Sequence, residues 1–105
     1  MHPEDDVLPD MVAKAAEAAA LLRLLGNEKR LLVLCHLVEG EQGVGALAEA
    51  VGLSQSALSQ HLALLRESSL VATRREAQAV FYRLADPKAA EVLHLVHRLY
   101  CAPAH

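Results

Sequence analysis

The chain has 105 residues, a formal net charge of -3, 53% hydrophobic residues and only 3% aromatic ones, a size that suits one domain able to hide roughly two-thirds of its unfolded surface. So aliphatic a composition points to packed helices and away from a β-rich fold. No apolar run approaches the roughly 18 residues that a membrane span needs, and the acidic start MHPEDDVLPDM is the opposite of a basic signal peptide, so a cytoplasmic protein with no membrane partner is expected.

Charge is distributed unevenly along the chain. Glu4, Asp5, Asp6, Asp10 and Glu17 crowd the start against Lys14, and residues 1–8 are expected to form a disordered acidic arm ahead of a single domain at 9–105. From near Asp10, the stretch VAKAAEAAALLRLLG has strong helix propensity and ends at Gly26. It is more apolar than a small core can absorb, which points to an oligomer contact. Asn27 is placed to cap a second helix, NEKRLLVLCHLVEGE, which closes at Gly40 and carries Leu31, Leu32, Leu34, Cys35 and Val38 as a broad apolar stripe. Arg30 near its start is most simply solvated or ion-paired, with a phosphate contact as the lesser reading.

The stretch from Val44 to Ser69 organises the rest. Leu47, Ala48 and Val51 fall on one helical face, and Leu58, Leu62 and Leu65 fall on one face of the next segment. Gly52 between them suits a left-handed helix end, and Ser54 suits the N-cap of the second helix. A short helix, a tight glycine turn and a second helix with a polar front is a helix-turn-helix pattern. The outward arc of the second helix is Ser56, Ser59, Gln60 and Ala63, edged by Gln55 and His61. A solvated face usually carries Lys and Glu. This short, polar, uncharged one suits close entry into a DNA major groove, where it offers donors and acceptors to base edges.

Next, LVATRREAQAVFYRL alternates in period two and predicts a β-hairpin with its turn near Glu76 to Ala79, a wing beside the reading helix. Arg66, Arg74, Arg75 and Arg83 outnumber Glu67 and Glu76 over this half, so it is locally basic. Arg74, Arg75 and Arg83 are candidates for phosphate or minor-groove contact, and ordinary exposed strand arginines are the equal alternative for each. Asp86 as cap and Pro87 at the first helical position open a last helix bearing Val92, Leu93, Val96, Leu99 and Tyr100. The first and last helices, both over-apolar, are the expected dimer interface.

The expected fold is therefore mostly α with a small β-hairpin, a winged helix-turn-helix. Its order of elements, with LGNEKRLLVLCHLVEGE, LSQSALSQHLALLRESSLV and VFYRL, resembles the arsenic-repressor (ArsR/SmtB) family of bacterial winged-helix repressors from about Ala13 to Cys101. The resemblance implies a homodimer on a palindromic double-stranded operator that leaves it when an inducer acts. It implies DNA-reading positions at Ser54, Gln55, Ser56, Ser59, Gln60 and His61, and wing contacts at Arg74 and Arg75. Ser69 departs from the pattern, since many members have glycine there.

The family's metal motifs are largely missing. VGALAEAVG holds no Cys-x-Cys box, and the last helix lacks the zinc pattern, with Lys88, Leu99 and Ala102 at positions where ligands would stand. Cys35 and Cys101 remain. Their placement resembles the sulfide-responsive branch, the biofilm-growth and sulfide:quinone-reductase repressors, and implies redox sensing by a disulfide or polysulfide between the two, with reactive sulfur as inducer. On composition alone Cys35 in an apolar stripe is more often a small core residue than a reactive one. A metal or haem inducer is the alternative, a metal using Cys35 and Cys101 with His94, His97 or His105, as is a winged-helix protein-interaction module. The roles of His36, His94 and His97 are left open. No nucleophile, base and orienting acid stand out, so neither an enzyme nor a cofactor is expected.

Overall fold

The computed structural model describes the backbone of residues 3–101 and side chains from Pro9 to Cys101. The elements run α1 (Pro3–Leu25), α2 (Glu28–Val38), β1 (Gln42–Gly43), α3 (Val44–Val51), α4 (Gln55–Glu67), β2 (Val71–Glu76), β3 (Ala79–Leu84) and α5 (Pro87–Cys101).

Local rules set the helix starts. Asn27 is extended, and its side chain accepts from the Arg30 N–H at 3.1 Å; Ser54 does the same for the Ala57 N–H at 3.1 Å. Asp86 accepts from the Lys88 N–H at 2.8 Å, beside Pro87, whose missing donor is no loss at that position. Gly52 ends α3 at φ 72°, ψ 38°, the left-handed turn that lets the Leu53 N–H reach the Ala48 carbonyl at 3.0 Å.

Two helix ends are closed by cations from α2. Arg30 donates from Nε to the Leu24 carbonyl at 2.8 Å and from Nη2 to the Arg23 carbonyl at 3.4 Å. Rather than a solvated or ion-paired charge, it is a cap on the orphan carbonyls of α1. Lys29 Nζ likewise meets the Val51 carbonyl of α3 at 3.3 Å.

The helix expected to begin near Asp10 begins instead at Pro3 and runs through Pro9. Pro9 suggests a boundary because a proline inside a helix costs one backbone hydrogen bond. Pro3 followed by acidic residues is nonetheless a helix-start signature, because proline suits the first position and negative charge suits the N-terminal dipole. Residues 1 and 2 of the expected arm lie outside the described residues.

The core is aliphatic, as the composition requires. Val33, Leu34 and Leu37 of α2 meet Leu47 and Val51 of α3, Leu58, Leu62 and Leu65 of α4, Leu70, Val71, and Ala89 and Leu93 of α5. The hairpin pairs Val71 with Leu84 through Glu76 with Ala79, leaving Ala77 and Gln78 as a two-residue turn. A third strand was not foreseen: β1 pairs Gln42 with Tyr82 and Gly43 with Phe81, giving the sheet order β1-β3-β2. Two residues are too few to show a period-two pattern. No helix among the described residues is long and apolar enough to cross a membrane.

Candidate nucleic-acid interface and thiol pair

Helix α4 buries Leu58, Leu62 and Leu65 and so turns Gln55, Ser56, Ser59, Gln60 and Ala63 to the outside. His61, at the edge of this arc, is half-buried. Ser54 spends an oxygen lone pair on the cap, which leaves its O–H free to donate to a phosphate. The expected reading face is thus assembled on one side of one helix.

The wing divides its two adjacent arginines. Strand alternation puts Thr73 and Arg75 on the face of Tyr82 and Val80, and puts Arg74 on the face of Phe81. Tyr82 also lines a groove of about 420 Å³ with Ser59, Ala63, Arg66 and Glu67 of α4, so its face of the hairpin fronts the reading helix. Arg75 belongs to that face. Arg74 belongs to the other, where it is held by Glu41 at 2.7 Å and Glu76 at 2.6 Å. These bonds hold the Glu41 carboxyl below the usual carboxylate range and push the Arg74 guanidinium further up. Arg66 and Tyr82 were not singled out as groove residues from the sequence. Tyr82 carried a signal in its parity with Arg75, but the approach of β3 to α4 is tertiary and has no local signature.

Cys35 is half-buried on α2 and Cys101 is exposed in the last turn of α5, both as free thiols. Burial pushes the Cys35 thiol pKa up, and the nearby Cys101 adds to that shift. Helices α2 and α5 pack against each other and carry one cysteine each. A cleft of about 290 Å³ opens beside Cys35, lined by Val38 and Glu39 of α2 and by Leu93, His94 and His97 of α5. Among the described residues no three His, Cys, Asp or Glu side chains converge as a metal site would need; His105 lies outside those residues.

A helix with a polar, uncharged reading face beside a hairpin whose α4-facing side carries an arginine defines a winged-helix DNA-binding transcriptional regulator. The model of bacterial regulatory proteins of the arsR family matches residues 27–73. The transcriptional activator HlyU of Vibrio cholerae is 50% identical over 94 residues, which cover 90% of this chain and 87% of that protein. The chain belongs to the arsR family. The structure of reduced HlyU from Vibrio cholerae superposes with a TM-score of 0.84 at 50% identity, covering 88% of this chain and 97% of that one. The transcriptional repressor BigR from Xylella fastidiosa superposes equally well, TM-score 0.84 at 44% identity, covering 90% and 97%.

Proposed function

We propose that the chain is a homodimeric repressor that binds a palindromic operator and is released when Cys35 and Cys101 are bridged by reactive sulfur. The observation that carries this reading is the packing of α2 against α5, with half-buried Cys35 on one helix and exposed Cys101 on the other, and the influence of Cys101 on the raised Cys35 pKa agrees with it. The HlyU relative is known in a form described as reduced, which supports a role for thiol oxidation state. Met11, Val12 and Leu22 of α1 and Leu95, Leu99 and Tyr100 of α5 are exposed, an apolar surface suited to a second copy. Each copy would place one α4 in a half-site, the two about 34 Å apart.

The chemistry balances without an added oxidant when the inducer is a persulfide, RSSH. The thiolate of exposed Cys101 attacks its outer sulfur, becoming Cys101–S–SH and expelling RSH. The Cys35 thiolate then attacks the Cys101 Sγ and hydrosulfide leaves, so one persulfide and two thiols give RSH, H2S and a disulfide. If both cysteines are first persulfidated, one persulfide attacks the inner sulfur of the other and H2S leaves from a trisulfide. Either bridge ties the α2 end to the end of α5, the helix assigned to the dimer interface, and so alters the spacing of the two reading helices.

The test combines a gel shift with intact mass, before and after an organic persulfide, on DNA from upstream of the chain's own gene. Release should accompany a loss of about 2 Da for a disulfide or a net gain of about 30 Da for a trisulfide. Cys35→Ser and Cys101→Ser should keep DNA affinity and lose release. Unchanged binding with unmodified cysteines overturns the sensing reading.

A further inference from the structure

Arg74, Phe81 and Gly43 form one row across the sheet: Arg74 is paired with Phe81, and Phe81 on its other side with Gly43. The Arg74 guanidinium lies over the Phe81 ring, 4.9 Å from its centroid, and reaches Glu41, the residue just before β1. There Nη2 donates to Glu41 Oε1 at 2.7 Å and Nε to both Glu41 oxygens at 3.1 Å, while Nη1 donates to Glu76 Oε2 at 2.6 Å. All three guanidinium nitrogens are engaged, and two carboxylates outweigh the one positive charge. Meanwhile β1 pairs with only two residues of β3, so its grip on the sheet stops at Phe81. Beyond that point the hairpin is two-stranded, and a two-stranded ribbon is marginally stable by itself.

We propose that Arg74 is a positioning residue that latches the wing, through Glu41, to the linker following α2, while Arg75 on the opposite face makes the wing's phosphate contact. The latch fixes the angle of the hairpin tip to α4, and with it the reach of Arg75 toward the backbone of a bound duplex. This rests only on DNA binding by the family and is independent of the thiols.

Glu41 gives the proposal a sign. By charge alone, replacing a carboxylate near the wing with a neutral amide strengthens attraction to DNA. As a latch, the same change frees the tip and weakens binding. The measurement is fluorescence anisotropy of the reduced full chain on a duplex selected by that chain from random sequence, over a series of salt concentrations. Glu41→Gln and Arg74→Ala should each weaken binding about 3- to 10-fold, and the double variant should be no worse than the weaker single, as for one shared interaction. The salt slope should stay unchanged in all three, whereas Arg75→Ala should lower it by about one. The exchange Glu41→Arg with Arg74→Glu should recover most of the loss. Tighter binding by Glu41→Gln, a salt slope lowered by about one in Arg74→Ala, or unchanged affinity in both would overturn the latch. Melting curves confirm that each variant is folded.

Discussion

Half-buried Cys35 on α2 lies within electrostatic reach of exposed Cys101 at the end of α5. The two thiols are unequal partners. Burial first, and then the neighbouring thiol, raises the Cys35 pKa above its ordinary value, so at neutral pH Cys35 has less thiolate than an ordinary cysteine. Iodoacetamide should therefore label Cys101 first, and the labelling rate of Cys35 should keep climbing at pH values where an unperturbed thiol has levelled off. Peptide mass spectrometry over a pH series reads both. Equal rates, or a Cys35 midpoint at the ordinary cysteine value, would contradict the asymmetry and with it the order of attack set out above.

Arg30 makes a second relationship testable. Its guanidinium closes the end of α1 from the first turn of α2, through the Leu24 and Arg23 carbonyls. Arg30→Met keeps most of the aliphatic stem but returns those carbonyls to water or leaves them unpaired. The loss should be about 1–3 kcal/mol, as for hydrogen bonds to a charged group. The midpoint of urea unfolding, at unchanged slope, measures it. No change in midpoint would mean that water replaces the cap without cost.

Much of the architecture was legible because its signals are local. Asn27, Ser54 and Asp86 each cap the helix they precede, Gly52 takes the left-handed turn, and the leucine spacing of α4 fixes which side faces out. What could not be read was set by distance in the fold. Arg30 was ambiguous because its partners are carbonyls, which leave no trace in side-chain identity. Arg74 and Arg75 look alike in sequence, and they separate only when β1 and Glu41 arrive on one face and α4 approaches the other. The pairing proposed for Cys35 and Cys101 rests on family likeness. Composition alone favours Cys35 as a small core residue.

Two residues carry backbone strain that substitution should relieve. Ser69, at the entry to the wing, has φ 63°, and Ala77, in the hairpin turn, has φ 55°. Both have side chains in a region that costs a non-glycine residue about 1–2 kcal/mol, part of which glycine returns through its greater freedom in the unfolded chain. Ser69→Gly and Ala77→Gly should each stabilise the fold by about 0.5–1 kcal/mol in urea unfolding. Lower stability in either would show that contacts of the side chain outweigh the strain.

The surface of α1 and α5 sets the last expectation. Val12 is 78% exposed, Leu99 68% and Tyr100 83%, too much apolar area to face water beside an otherwise well-buried aliphatic core. Glu17 of α1 accepts from Lys88 Nζ of α5 at 3.1 Å, a link between the two helices that would present this surface. A charge at its centre would be stranded if the surface is covered by a second copy and harmless if it is bare. Leu99→Glu should therefore weaken self-association by about 2–4 kcal/mol, the range of a central interface residue, with helix content by circular dichroism unchanged. Sedimentation equilibrium should show a dimer for the parent chain and mostly monomer for the variant. Because two reading helices on one duplex bind with shared entropy cost, the variant should lose affinity for a palindrome far more than for an isolated half-site. A monomeric parent, or a variant that dimerises as before, would place the interface elsewhere.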